Sequence, residues 1–150
     1  FESEIGEFHE PETHLIPLAI EALLKNKKFK VFGRNYNTYD KTAVRDYIHV
    51  NDLASAHILA LKKINKRNKS KVLNLGSEKG TSVLEILSLL ENLKNTKIKK
   101  KFLKKRKGDL PKLISSSKLA NKILGWKAKI GKKDIIETAF NWHYKLLNKK

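Results

Sequence analysis

Thr42-Ala43-Val44-Arg45-Asp46-Tyr47-Ile48-His49-Val50-Asn51-Asp52-Leu53-Ala54-Ser55-Ala56-His57 is the stretch that decides the fold. Residues 46–50 are β-branched and aromatic, which predicts a strand, while from Asn51 onward Leu53, His57, Ile58, Leu61 and Ile64 recur at helical spacing. Arg45 stands at the entrance of that strand. A guanidinium there can hold a diphosphate through two parallel charge-assisted hydrogen bonds, which a lysine ammonium cannot reproduce. Only Arg34, Arg45, Arg67 and Arg106 occur among 33 basic residues, so the placement of each carries information. Pairing of Arg45 with Asp46 or a nearby surface carboxylate is the competing explanation.

Outward from this stretch, strands and helices alternate. Residues 14–24 present apolar side chains on one helical face, beginning near Pro11 and Thr13, and 29–32 reads as a short strand. A lysine-rich connection over 62–71 leads to a strand at 72–75. Ser82 and Glu85 form a capping box ahead of Leu84, Ile86, Leu87 and Leu90, predicting a helix that ends near Lys94. A basic strand over 97–103 and a short helix over 116–124, stopped by Gly125, follow. Asp134 and Glu137 repeat the capping pattern for a last helix carrying Ile135, Ile136, Ala139, Phe140 and Trp142. The alternation predicts α/β layers, and 150 residues with 40% hydrophobic content predict one compact domain with a single core. No internal repeat is evident.

Charge is unevenly distributed. Residues 1–61 carry 7 basic and 9 acidic side chains, residues 62–150 carry 26 and 6, and the formal net charge is +18. So basic a segment raises the alternative of a module that binds nucleic acid or another polyanion. Against it, lysine far outnumbers arginine and aromatics seldom interleave with the basic runs, so no stacking platform is visible. Most of the lysines read as solvated helix faces, and no nucleic-acid partner is expected. With no cysteine, disulfides and thiolate metal sites are excluded. His9 and His14 are five apart and His49 and His57 eight apart, neither being the one-face helical spacing of a zinc site, so no metal is expected. No apolar run is long enough to span a bilayer, no signal-peptide pattern opens the chain, and no membrane partner is expected.

Three segments carry a family resemblance: 8–17 (Phe-His-Glu-Pro-Glu-Thr-His-Leu-Ile-Pro), 31–46 (Val-Phe-Gly-Arg-Asn-Tyr-Asn-Thr-Tyr-Asp-Lys-Thr-Ala-Val-Arg-Asp) and 106–111 (Arg-Lys-Gly-Asp-Leu-Pro). In this order and at these separations they resemble the C-terminal half of the UDP-glucose 4-epimerases, which are extended short-chain dehydrogenase/reductases. The resemblance runs from about Glu2 to Trp142. The Arg-Asp-Tyr-Ile-His-Val-x-Asp core is shared by many nucleotide-sugar dehydratases and epimerases, and the Glu-Thr-His-Leu-Ile-Pro segment narrows it to the 4-epimerases.

That resemblance implies an α/β substrate-binding part of a longer NAD-dependent enzyme, residues 1–150, in which the strand and helix over 43–66 return to a Rossmann sheet outside this chain. It implies interconversion of UDP-glucose and UDP-galactose through a 4-keto sugar, in a cytoplasmic enzyme that is a homodimer. His14 and Leu15 would lie at the start of a helix lining the nucleotide-sugar cleft. Lys30, Val31 and Phe32 would flank the uracil, with Phe32 supplying an apolar face and the strand backbone reading the base edges. Arg45 and Arg106 would grip the diphosphate from two sides, and Asp109, on a turn permitted by Gly108, would accept hydrogen bonds from ribose hydroxyls. Another nucleotide-sugar epimerase or dehydratase of the same fold is the nearest alternative.

The glycine-rich turn of a dinucleotide site is not found: Gly76 and Gly80 follow the strand at 72–75 but read as ordinary turn glycines. The family's catalytic tyrosine precedes a lysine by four residues, whereas Tyr36, Tyr39, Tyr47 and Tyr144 are followed at that spacing by Asp40, Ala43, Asn51 and Asn148. The main NAD site and the proton-transfer residues are therefore expected upstream, no catalytic residue is assigned here, and the chain alone is expected to be inactive. Its opening at Phe1 and its lack of methionine agree with a piece of a longer protein. Three positions depart from the family pattern: Lys41 replaces a usual glycine, Lys104-Lys105 replaces a usual proline-arginine pair before the next basic residue, and Leu113 stands where some members carry an aromatic.

Overall fold

A computed structural model describes residues 5–63 and 70–148. In order, the elements are α1 (Leu15–Leu24), β1 (Phe29–Phe32), β2 (Val44–Asp46), α2 (Val50–Lys63), β3 (Gly80–Ser82), α3 (Val83–Lys94), β4 (Lys100–Leu103), β5 (Lys112–Leu113), α4 (Lys118–Leu124) and α5 (Lys132–Asn148). Two small sheets result. β1 pairs in parallel with β4, and β2 lies between antiparallel β3 and parallel β5.

The strand predicted at 46–50 lies earlier, at Val44–Asp46, so Arg45 sits within it and not before it. Two side chains explain the shift. The Asp46 carboxylate accepts from the N–H groups of Ser77, Glu78 and Ser115 and from the Ser77 hydroxyl, replacing a continued ladder with side-chain bonds. His49 then starts the helix, its carbonyl accepting from Asp52 and Leu53 and its Nδ1 accepting from the Asn51 N–H. The apparent β alternation between these points comes from a connector packed on two sides: Tyr47 faces one apolar cluster and Ile48 the other.

Those clusters replace the single core expected from length. The larger joins α1, α3 and α5 to β1 through Ile20, Val31, Leu87, Leu90, Ile136 and Phe140. The smaller joins α2 to α4 through Ala56, Ala120, Leu124 and Trp126. Trp126 is anchored by its indole N–H, which donates to the Asp52 carbonyl and the Ser55 hydroxyl, while the buried Asp52 carboxylate accepts from the N–H groups of Lys129 and Ile130. Val50, Ile58 and Leu61 remain more than half exposed on α2.

Helix limits follow the predicted signals in α3 and α4. Ser82 caps α3 by accepting from the Glu85 N–H, and left-handed Asn95 closes it. Gly125, at φ 69°, ends α4. The α5 pattern works in reverse: the helix starts at Lys132, and Asp134 reaches back to the Gly131 N–H instead of serving as the cap. Residues 72–75 form no strand, with Val72 89% exposed and Leu73 and Leu75 packed on the Trp126 cluster. The basic strand shortens to Lys100–Leu103. Ile64 and most of the lysine-rich connection lie outside the described residues.

Glu91 links α3 to the approach of β4. Its buried carboxylate accepts from the Ile98 N–H and pairs with Lys100. Burial pushes the carboxyl up, but the Lys100 ammonium and the Ile98 N–H together hold it below the ordinary value of 4.5. A lowered folded-state pKa means that its stabilisation is fully present above the unfolded value and is lost as pH falls through the folded one. Unfolding midpoints measured downward from about pH 4.5 should fall more steeply in the wild type than in Glu91→Gln. Equal slopes would remove Glu91 as the cause. At neutral pH, Glu91→Ala should lower stability by about 3 kcal/mol, because Lys100 loses the partner of a largely buried pair.

Candidate functional site

The loop joining β1 to β2 is shaped by short-range bonds. Gly33 adopts φ 87° and donates its N–H to the Leu103 carbonyl, and a Cβ there would lie 2.3 Å from the Tyr36 ring. Only glycine leaves room for that ring. Downstream, Asp40 Oδ1 accepts from the Thr42 N–H at 2.9 Å and its hydroxyl at 2.7 Å, while Oδ2 accepts from the Ser82 hydroxyl. Lys41, in the position where the family pattern has glycine, takes the left-handed conformation at φ 66°. The turn therefore keeps the geometry a glycine would adopt, at a conformational cost of about 1 kcal/mol.

This turn delivers Arg45 to Asp109. Arg45 Nη2 donates to Asp109 Oδ1 at 3.3 Å, and Nη1 donates to the carbonyls of Val44 and Leu110 at 2.8 and 2.9 Å. On the other side of the same carboxylate, Arg106 Nε donates to Oδ2 at 3.0 Å, and its guanidinium lies 4.9 Å from the centre of the Phe32 ring. The two arginines thus flank one carboxylate. Arg45 is largely enclosed, its side chain 27% exposed, whereas that of Arg106 is 62% exposed. Tyr36, buried to 2%, donates its hydroxyl to Asp109 Oδ2 at 3.4 Å. Burial, then the Asp109 charge, pushes the Tyr36 phenol up. Lys105 lies 5.3 Å from the Tyr36 ring centre, adding positive charge beside the arginines.

Tyr47 follows β2, and burial pushes its phenol up to about 12 against the pull of Arg45, so it keeps its proton at ordinary pH.

Of the residues singled out in the sequence, Phe32, Arg45, Arg106 and Asp109 meet directly. Lys30 is exposed on β1. Val31 is 1% exposed, so its side chain belongs to the core and not to a cleft. Phe29 and Gly33 donate their N–H groups toward β4. By the alternation of a ladder, the backbone groups of Lys30 and Phe32 therefore face the opposite edge of β1, which carries no strand among the described residues. His14 and Leu15 make their contacts elsewhere: Leu15 packs on the larger cluster, and the His14 imidazole meets Glu7 and Glu12 at 2.9 and 3.0 Å. Glu12 also accepts from the Thr13 and His14 N–H groups, fixing the turn that leads into α1, whose N-cap residue His14 makes no side-chain capping bond.

Sequence reasoning missed Tyr36 and Asp46. A tyrosine in a polar loop carries no burial signal, and the partners of Asp46 come from residues 31 or more positions away. Gly76 and Gly80 also prove to be close-packing glycines: a Cβ would lie 2.5 Å from Asp46 Oδ2 at Gly76, and 2.5 Å from Ile114 Cδ1 at Gly80. An open cleft of about 650 Å³, lined by residues including His49, Asn51, Lys129, Thr138 and Tyr144, contains none of the Arg45–Asp109 group.

Among the described residues, two small sheets and five helices, with one guanidinium carried by β2 and its companion by the loop that follows β4, define the C-terminal part of an extended short-chain dehydrogenase/reductase. The chain belongs to the NAD dependent epimerase/dehydratase family, which matches residues 2–76. It is 45% identical over 146 residues to a UDP-glucose 4-epimerase of Rhizobium leguminosarum bv. trifolii, covering 97% of this chain and 45% of that protein. A crystal structure of a UDP-glucose 4-epimerase superposes with a TM-score of 0.91 at 43% identity, over 99% of this chain and 46% of the other. The Stenotrophomonas maltophila UDP-glucose 4-epimerase, solved with NAD and formylated UDP-arabinopyranose, gives 0.92 at 34% identity, over 99% of this chain and 45% of the other. The chain spans less than half the length of these relatives. Among the described residues, no helix is long and apolar enough to cross a membrane.

Proposed function

We propose that this chain is the UDP-sugar-binding part of a UDP-glucose 4-epimerase that interconverts UDP-glucose and UDP-galactose with NAD. The observation that carries the reading is the arrangement of Arg45 and Arg106 on either side of Asp109, with the Arg106 guanidinium against the Phe32 ring of β1. Each guanidinium has donors beyond those used on Asp109, and a diphosphate accepts from two such groups at once. Asp109 would take the ribose hydroxyls, and the backbone of Lys30 and Phe32 would meet the uracil edge. The N-terminus of α1, at His14 and Leu15, would face the cleft, with the Leu15 N–H turned to the ligand while that of His14 is held by Glu12. Anchoring UDP this way leaves the hexose to present either face of C4 while the diphosphate stays fixed.

NAD accepts and returns the hydride in such an enzyme, and the residues described here do not fit its pyrophosphate. Gly76 lies against Asp46 and Ser115 and Gly80 against Val44 and Ile114, so neither glycine leaves room for a phosphate. NAD binding and proton transfer therefore belong to the rest of the protein, and this chain alone is inactive. The exposed Val50, Ile58 and Leu61 of α2 support a second part of the reading, that the segment over 43–66 packs on the nucleotide-binding domain. Through the family alone, the reading extends to a cytoplasmic homodimer.

The test is conversion of UDP-galactose to UDP-glucose by the intact, NAD-loaded protein. Turnover supports the epimerase. A folded, NAD-loaded protein that leaves UDP-galactose unchanged but transforms another UDP-sugar would move the assignment to a different nucleotide-sugar enzyme.

A further inference from the structure

The structure points to a divalent-cation site of the zinc class that we propose is formed by Glu7, His9 and His14, ahead of and at the N-terminus of α1. Glu7 Oε1 lies 2.9 Å from His14 Nδ1 and 3.4 Å from His9 Nε2. All three ligand atoms fall within 4.8 Å of one another. Bonds of about 2.0–2.1 Å in a tetrahedron separate ligand atoms by about 3.3 Å, so the Glu7–His9 separation already matches, and small rotations of the exposed Glu7, His9 and His14 side chains would bring the other two to that value. One carboxylate and two imidazoles, with the remaining position open to solvent, is a donor set that zinc accepts.

The helical spacing that argued against a metal does not apply, because His9 lies in the segment before α1 and only His14 adjoins the helix. That segment is fastened at both ends. The Trp142 indole N–H donates to the Glu7 carbonyl at 2.9 Å, and a Cβ at Gly6 would lie 2.3 Å from the same indole. At the other end Glu12 holds the backbone N–H groups of Thr13 and His14. The backbone of the segment is thus fixed at Glu7 by the Trp142 indole, a bond that no ligand atom shares, and at His14 by Glu12, whose Oε1 also touches His14 Nδ1. The side chains of Glu7, His9 and His14 are 41%, 53% and 51% exposed, leaving a path for a hydrated ion. On binding, His14 Nδ1 gives up its hydrogen bond to Glu12 and its ion-pair contact with Glu7, and the ring proton resides on Nε2.

The intact protein, freed of metal by chelation, is titrated with ZnCl₂ by calorimetry and with CoCl₂ by visible absorption. Zinc uptake at a site lost in both His9→Gln and Glu7→Gln is expected, with affinity at least about tenfold lower in either variant, the smallest loss that removing even an outer-shell partner causes. Cobalt should develop the intense visible bands of a low-coordinate site in the wild type and not in the variants. His57→Gln, an exposed histidine of α2, should bind as the wild type does. Equal zinc affinity in the wild type and His9→Gln, or no uptake by either, would overturn the proposal and leave the cluster as ion pairs ahead of α1. These readouts do not depend on epimerase turnover, so this inference and the functional assignment fail separately.

Discussion

Alanine at Arg45 should weaken UDP binding by the intact protein by about 1.5–3 kcal/mol, roughly ten- to a hundredfold in Kd. Two losses combine in that figure. The variant removes a guanidinium that would contact the diphosphate, and it removes the donor that holds Asp109 Oδ1 and the Leu110 carbonyl, so the carboxylate assigned to the ribose also loses its orientation. Arg45→Lys should recover little, since one ammonium cannot span Leu110, Asp109 and a phosphate together. Calorimetry with UDP separates this from a folding defect when each variant's unfolding midpoint is measured alongside. Arg106→Ala should have a smaller effect, because its side chain is 62% exposed and makes one bond to Asp109 through Nε. Unchanged UDP affinity in Arg45→Ala would remove that residue from the site.

Alanine at Asp46 should lower stability by about 3–5 kcal/mol, the scale of three backbone N–H groups losing their acceptor at about 1–3 kcal/mol each, discounted for those that water can reach. The groups are those of Ser77, Glu78 and Ser115, and the carboxylate that serves them ties the end of β2 to the turn before β3 and to the residues after β5. Gly76 packs closely on this carboxylate, a Cβ there lying 2.5 Å from Oδ2, so the turn has no room for a side chain while Asp46 is in place. Asp46→Asn should lose about half as much, keeping one acceptor oxygen while turning an NH₂ toward N–H donors. Urea unfolding of the intact protein gives both numbers. A loss below about 1 kcal/mol in Asp46→Ala would show that water replaces the carboxylate, against the mechanism argued here.

What was legible in the sequence was local or was carried by a motif. Periodicity and capping placed α1, β1, α3 and α4 close to where they lie, because a turn of helix and its cap depend on neighbours three or four residues apart. The family resemblance grouped Arg45, Arg106 and Asp109, and these three side chains are in contact. The sequence could not show that 47–49 is a connector, because its alternation of Tyr47 and Ile48 has the period of a strand while its two faces serve two separate clusters. Nor could it show the burial of Val31 and Tyr36, the hub at Asp46, or the meeting of Glu7 with His9 and His14. The sequence by itself determined the class of fold and the family, since both rest on short-range pattern. Only the tertiary structure decided which side chains share a carboxylate, because hydrogen bonds and packing between residues dozens of positions apart leave no periodic trace along the chain.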